Sequence, residues 1–208
     1  MSRGSFKCIC CGELATNEYI KKEAISGRMD ADLMAIVADS TNGRLYLPPN
    51  DEHIEIAKSA ISTWKPEQRV PSPCHDVDRL PMYGMPTWGD AFTERQLIAL
   101  STFSDLINEA HEQIISDGGV DEYAKAICVY LACGISQLSR YSSTVCGWNK
   151  TNENVAQVFG RQAIPMVWDY AEANTLEGAL SIASTTDWTA SVIKVLNKTG
   201  HAEQADAQ

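Results

Sequence analysis

The sequence predicts a mainly α fold: a helical domain with a small N-terminal cysteine knuckle and a short β-hairpin. Three observations predict it. Apolar residues recur at helical spacing from Phe92 onward, cysteines crowd a short polar segment near residue 10, and Asn42-Gly43 separates two apolar runs. We expect a knuckle and short helix in residues 1–30, a hairpin and helix in 31–64, a linker rich in proline and glycine in 65–91, and the helical domain in 92–200.

The first half of the chain predicts three regular elements. Residues 17–25 are expected to form the short helix, and residues 33–49 the hairpin, with Asn42-Gly43 at its turn. Asn50 or Asp51 is a suitable N-cap for a helix that runs to about residue 64, because a short polar side chain accepts a hydrogen bond from the first helical turn.

The second half predicts a series of helices. Thr93 and Gln96 have the spacing of a capping box, and Gly118-Gly119 ends the helix that begins there. The next helix carries apolar residues on both faces, including Val129 and Cys133, which predicts burial nearly all round. After it we expect a polar loop around residues 141–150, a helix over 152–161, a kink or restart at Pro165 and a last helix over 176–196.

Charge limits the function classes. The net charge of −10 is unevenly spread: residues 1–28 carry five Lys and Arg against three Asp and Glu, and the rest carries twelve against twenty-four. Nucleic-acid affinity depends largely on neutralising phosphates, so most of this chain has the wrong sign to grip DNA unaided. No apolar run reaches the ~20 residues of a membrane span, and the polar start does not resemble a signal peptide, so we expect a cytoplasmic protein with no membrane partner.

The segment "CICCG" is the clearest chemical motif. Cys8-x-x-Cys11-Gly12 has the spacing of a zinc knuckle, in which glycine lets a turn present two thiolates to one metal ion. A closed structural zinc site needs about four ligands. Cys74-His75 could complete it, and so could a second knuckle outside this chain; the alternative is a reduced, metal-free cluster. Cys8 and Cys11 are therefore the predicted metal ligands, with Cys10 as a bystander.

Motifs for other chemistries are absent. No nucleophile triad can be argued, and the histidines at 53, 75, 111 and 201 have no motif around them. The sequence contains neither a phosphate-binding P-loop nor a G-x-G-x-x-G fingerprint. An enzymatic reaction is not indicated by these residues alone.

Residues 159–174, "FGRQAIPMVWDYAEAN", mix charged, aromatic and proline residues. One interpretation is a packing corner, in which Trp168 lies in the core and one face of a helix is formed by Met166, Val167, Tyr170 and Ala171. The other is a recognition surface, in which Arg161 and Gln162 contact DNA or a partner. We expect Trp168 to be core and Arg161 to serve function.

Four longer phrases carry a family resemblance: "GRMDADLMAIV", "GRLYLPPNDEH", "YGMPTWGDAFTERQLIALSTFSDL" and "FGRQAIPMVWDYAEAN". Together they resemble the adenine-specific DNA methylases that contain a Zn-ribbon, a bacterial and archaeal group often labelled as a domain of unknown function. The resemblance runs from about residue 2 to residue 206. It implies an S-adenosylmethionine-dependent amino-methyltransferase that acts on DNA.

The chain departs from that family at both catalytic elements. Such enzymes need a Gly-rich loop for the cofactor and an (Asp/Asn)-Pro-Pro-(Tyr/Phe) turn for the flipped adenine. The only Pro-Pro here is Pro48-Pro49, between Leu47 and Asn50, and no G-x-G-x-G occurs. The resemblance therefore implies the central insertion, recognition or scaffold section of the enzyme, a fragment or split component inactive alone. S-adenosylmethionine would bind only in the full-length enzyme.

The expected contacts follow from that assignment. Arg161, Gln162 and Trp148 are the candidate nucleic-acid or partner residues, beside the 141–150 loop. DNA would be reached through the full-length methylase, and the partners would be its remaining segments or a separate methylase subunit. The alternative is a stand-alone interaction or metal-binding subunit of a DNA-modification or defence system.

Overall fold

A computed structural model of the protein describes residues 5–71, 79–160 and 163–196. The chain divides into two compact units, residues 1–106 with 139–173 and residues 107–138 with 174–208. The described parts contain five α-helices and six short strands paired as two-stranded antiparallel sheets. The fold is mixed and helix-rich, in agreement with the predicted mainly α class at that coarse level.

The first unit begins with a hairpin and a helix. Strands β1 (Ser5–Lys7) and β2 (Leu14–Thr16) pair antiparallel and enclose the cysteine segment. Helix α1 (Asn17–Ile25) follows directly, because the Thr16 side chain accepts a hydrogen bond from the Tyr19 amide at 3.2 Å. The predicted helix over residues 17–25 is confirmed.

The predicted hairpin over residues 33–49 is present and is the second hairpin of the chain. Strands β3 (Ile36–Ser40) and β4 (Gly43–Leu47) pair with Ser40 opposite Gly43, so the turn is Thr41-Asn42, one residue earlier than predicted. Gly43 has φ +107° and continues the strand from the turn.

Helix α2 (Asp51–Ser59) has the predicted N-cap, because Asn50 Oδ1 accepts from the His53 amide at 2.8 Å. It ends at Ser59 and not near residue 64. The Ser62 hydroxyl donates to the Trp64 carbonyl at 2.6 Å, and such local side-chain bonds compete with helical ones.

The core of the first unit is built largely by residues 65–91, which the sequence predicts as a linker. Its buried cluster consists of Ala24, Leu80, Tyr83, Met85, Ala91 and Val145. Two 3₁₀ helices, Leu80–Tyr83 and Trp88–Ala91, position three of these six residues, and Met85 lies between the two helices. Their apolar side chains have no regular period because single turns, and not long helices, present them to the core.

Helix α3 (Glu94–Ser116) has the predicted start and end. Gln96 Oε1 accepts from the Thr93 amide at 2.9 Å, and the Thr93 hydroxyl oxygen accepts from the Gln96 amide at 3.3 Å. At the other end Gly118 has φ +91°, and the Gly119 amide donates to the Ile114 carbonyl at 2.9 Å. Both the capping box and the glycine stop are confirmed.

The second unit contains helices α4 (Asp121–Ser139) and α5 (Ile182–Ile193). The prediction that α4 is buried nearly all round is wrong. Val129 is 60% exposed and Cys133 is exposed, whereas Ala124, Gly134 and Leu138, which share one face, are buried. An ideal Cβ on Gly134 would lie 3.0 Å from Thr186 Oγ1, so the small residue permits a close helix approach.

The helix predicted over residues 152–161 is also wrong. Strands β5 (Trp148–Asn149) and β6 (Asn154–Val155) pair antiparallel there. The Asn149 side chain accepts from the amides of Thr151 and Asn152, so the polar residues form a turn and not a helix cap.

The last helix begins later than predicted. Asn174 Oδ1 accepts from the Leu176 and Glu177 amides, which makes a turn where the helix was expected to start. Ser181 caps α5 instead, accepting from the Ser184 amide at 3.2 Å.

Gly84→Ala tests the contact between α1 and the first 3₁₀ helix. Gly84 has φ +79°, and a Cβ there would lie 2.3 Å from the Ala24 carbonyl oxygen. We expect a loss of about 3 kcal/mol in unfolding free energy, from left-handed strain plus the clash. Gly27→Ala is the matched control, because Gly27 has φ +70° with open space around it and should lose only about 1 kcal/mol. Equal losses in denaturant titrations would contradict the close approach.

Asp90→Asn tests the cap of the second 3₁₀ helix. Burial favours the neutral Asp90 carboxyl, but hydrogen bonds from Lys65 and Thr87 outweigh it and hold its pKa below the ordinary 3.8. A lowered pKa stabilises the fold above the unfolded-state pKa, and this stability is lost as pH falls through the folded pKa. We expect the variant to lose about 1–2 kcal/mol at pH 7, a difference that shrinks below about pH 4.

The control for Asp90→Asn is Lys65→Ala. The Lys65 side chain is half exposed, so its removal should lower stability by less than about 1 kcal/mol. A stability gap between wild type and Asp90→Asn that does not depend on pH would contradict the role of the carboxylate.

Candidate functional site

The cysteine segment forms the turn between β1 and β2. The Cys8 amide donates to the Glu13 carbonyl at 2.8 Å, and the Gly12 amide donates to the Cys8 carbonyl at 3.0 Å. Gly12 has φ +76°, in the left-handed region that favours glycine. The turn leaves Cys8, Cys10 and Cys11 exposed. Local backbone hydrogen bonds therefore hold three accessible cysteines within one short turn.

The turn also favours the ionised form of one thiol. Hydrogen bonds lower the pKa of Cys8 from 9.0 to about 7. The backbone of Cys11 contributes most and the backbone of Cys10 next, and the side chains of both residues add to the effect. The thiolate is both the metal ligand and the nucleophile of cysteine. The lowered pKa favours the thiolate form of Cys8 near neutral pH, and Cys10 contributes to that environment.

The described residues contain no complete set of metal ligands. In residues 5–71, 79–160 and 163–196 no group of three or more His, Cys, Asp and Glu side chains is placed to hold a metal ion. Cys74 and His75, which the sequence offers as further ligands, lie outside these ranges. Cys8 and Cys11 thus remain a predicted pair of ligands on one turn.

Trp148 lies in β5 and contacts the β3–β4 hairpin. The Arg44 guanidinium is 5.8 Å from the centroid of the Trp148 ring, and the Tyr46 ring meets it edge-on at 6.3 Å. The Tyr46 hydroxyl donates to Glu153 Oε1 at 3.1 Å, across the β5–β6 turn. Trp148 is partly buried by these contacts. They join two hairpins and occupy part of the ring surface that a nucleic-acid base would use.

The sequence predicts Trp148 as a candidate contact residue, but it did not lead to Arg44 and Tyr46, which contact the Trp148 ring. The signal was present in "GRLYL", because residues two apart in a strand lie on the same face. Trp148, which both residues contact, is about 100 residues away along the chain, and no local sequence pattern links it to the strand. Arg161 and Gln162 lie outside the described residues.

Trp168 differs from the prediction. It is 49% exposed and not a core residue, and it contacts Phe6 and Tyr83 edge-on. The described residues of 163–174 contain no helix. The Ala171 amide donates to the Cys146 carbonyl at 2.7 Å, and Tyr170 bridges to Gly147, so backbone pairing replaces the expected helix face. Ile164, Met166 and Val167 still pack against the core, as a packing corner requires.

None of the helices within the described ranges is long and apolar enough to cross a membrane. No protein-family model matches the chain, and no curated protein or solved structure is significantly similar to it. The family resemblance therefore rests on the four sequence phrases.

Alkylation of Cys8 tests the chemistry of the turn. In metal-free, reduced protein we expect the iodoacetamide reaction rate at Cys8 to reach half its maximum near pH 7, because the thiolate fraction follows the lowered pKa. Peptide mapping by mass spectrometry identifies the modified residue, and Cys8→Ser controls for modification of Cys10 and Cys11. A half-maximum near the ordinary value of 9.0 would contradict the hydrogen-bonded turn.

Proposed function

We propose that this chain is the central, non-catalytic section of an S-adenosylmethionine-dependent, adenine-specific DNA methyltransferase. The observation that carries the proposal is the order and length of the four resembling phrases. Two of them meet in the core of the first unit. The phrase that begins at Tyr83 supplies Tyr83, Met85 and Ala91, and the phrase that begins at Phe159 supplies Met166 and Val167. Phrases that share one core are expected of a common scaffold.

The surface of the first unit supports a role inside a larger assembly. Ile9, Met34 and Ile61 are each more than three-quarters exposed, and Trp64 is also exposed. Large apolar side chains in water are candidates for burial by a partner. The proposed partners are the remaining methyltransferase segments, which would supply the cofactor loop, the adenine-binding turn and S-adenosylmethionine itself.

The charge supports a limited contact with DNA. Because the chain is acidic, we assign DNA contact to a few local residues and leave the main grip to the rest of the enzyme. Arg161 and Gln162 are the proposed contact residues, and Trp148 is a third, weaker candidate. DNA modification also places the protein in the cytoplasm.

Zinc is the proposed metal. Two exposed thiols on one turn with a left-handed glycine fit a thiolate-binding ion, and zinc would contribute structural stability there. Cys8 and Cys11 would hold two coordination positions. The other ligands would come from Cys74-His75 or from another part of the enzyme.

A reconstituted full-length enzyme tests the function. We expect an enzyme assembled around this segment to form N6-methyladenine, and Arg161→Ala to lower its activity about tenfold or more with an unchanged melting temperature, because an arginine that contacts DNA adds little to stability. Mass spectrometry of digested DNA measures the product.

Arg28→Ala is the matched control, since Arg28 forms a surface ion pair with Glu23 at 2.6 Å. It should leave methylation unchanged. No methylation by the assembled enzyme would contradict the proposed function, and normal activity in a folded Arg161→Ala enzyme would contradict the assignment of that residue.

A second candidate is a stand-alone subunit that pairs with a separate methylase, and the exposed apolar residues favour it equally. The coding sequence on either side of the reading frame distinguishes the two. In-frame Gly-rich and Asp-Pro-Pro-Tyr coding supports the section of one enzyme, whereas a separate methylase gene nearby supports the subunit.

A further inference from the structure

The cysteine hairpin is too small to maintain its own orientation. Its strands β1 and β2 have three residues each, and an isolated two-stranded hairpin is marginally stable in water. The turn between them projects into solvent, where Ile9 is 99% exposed. The direction in which the thiols point therefore depends on contacts that the hairpin makes with the rest of the first unit.

Phe6 in β1 makes one such contact. Its ring meets the edge of Trp168 at a centroid distance of 6.0 Å and an interplanar angle of 61°. Trp168 in turn meets Tyr83 at 5.4 Å and 84°, and Tyr83 is buried in the core cluster. Three rings therefore connect the core to the strand that leads into Cys8.

The backbone around Trp168 is held independently of this ring contact. Met166 and Val167 pack against the core, and the Ala171 amide donates to the Cys146 carbonyl. The half-exposed indole lies between Tyr83 and Phe6, so its contacts are with a core ring on one side and the hairpin on the other.

We propose that Trp168 is a positioning residue that docks the cysteine hairpin on the core through Phe6, and so orients the Cys8 and Cys11 thiols for a soft metal ion. The metal part rests on the zinc site proposed above, whereas the docking part does not. A docked hairpin presents ligands that are already ordered, so less conformational entropy is lost when a metal binds.

Hydrogen exchange tests the docking. The amides of Cys8 and Gly12, which bond within the hairpin, report its local opening. We expect Phe6→Ala and Trp168→Ala each to accelerate their exchange about 2- to 10-fold, the range that an edge-to-face ring pair supports. The double variant should exchange no faster than the faster single variant, because both remove one contact. Trp168→Phe should retain part of the protection.

Two controls separate docking from general destabilisation. Trp64→Ala removes an indole that is 60% exposed, in the same unit, and should leave the hairpin amides unchanged. Amides of α1 should keep their exchange rates in Phe6→Ala. If Trp168→Ala fails to fold, Phe6→Ala decides, since Phe6 is half exposed and outside the core cluster. Unchanged exchange of the hairpin amides in folded Phe6→Ala protein overturns the docking.

Zinc binding tests the orientation of the thiols. Zn²⁺ is titrated into the reduced chain against a chromophoric chelator. We expect the dissociation constant to rise about 2- to 10-fold in Phe6→Ala and Trp168→Ala, with no change in Trp64→Ala and loss of binding in Cys8→Ser. Equal affinity in the docking variants overturns the orienting role. If the wild-type chain takes up no zinc, a metal site completed within this chain and the orienting role in it both fail, while the exchange experiment still decides the docking.

Discussion

The first unit depends on the close approach of two backbones at Gly84 and Ala24. Without a Cβ, Gly84 lets the first 3₁₀ helix lie directly against the C-terminal end of α1. Tyr83 then packs beside α1, with its hydroxyl 3.4 Å from Asn17 Oδ1 and the Lys21 ammonium 5.9 Å from its ring centroid. Because Tyr83 also contacts Trp168, the approach at Gly84 positions a ring against which the Trp168 indole packs.

Gly89 permits a second close approach of two backbone segments in the first unit. A Cβ on Gly89 would lie 2.5 Å from the Pro66 carbonyl oxygen, and the Gly89 amide donates to that oxygen at 3.0 Å. Beside it the Trp88 amide donates to the Gln68 carbonyl and the Val70 amide to the Pro86 carbonyl. Backbone pairing over short stretches, and not a long helix or sheet, therefore holds the segment that supplies most of the core.

This arrangement explains which elements the sequence could predict. Helix ends depend on side chains three or four residues away, so the sequence could predict the Asn50 cap and the Thr93–Gln96 capping box. The segment after Pro165 depends on a partner far along the chain, as in the Gly147–Tyr170 bridge, and was predicted wrongly as a helix. Strand β6 was also predicted wrongly as part of a helix, because it pairs with the nearby β5. The described part of residues 65–91 has no period because single turns, and not long helices, present its side chains to the core.

The candidate sites, like the helices, were predictable only where the sequence signal is local. The spacing of Cys8 and Cys11 is local and was visible, whereas the rings that support each site come from distant positions. Both N-terminal hairpins make the same kind of contact with a tryptophan. Tyr46 of β4 contacts Trp148, and Phe6 of β1 contacts Trp168, each edge-on with ring centroids about 6 Å apart. Each hairpin is two strands wide, so one aromatic contact is a large part of what orders it. Trp148 and Trp168 therefore each contact one of the two N-terminal hairpins. A loss of function on replacing either tryptophan has to be separated from a loss of hairpin position.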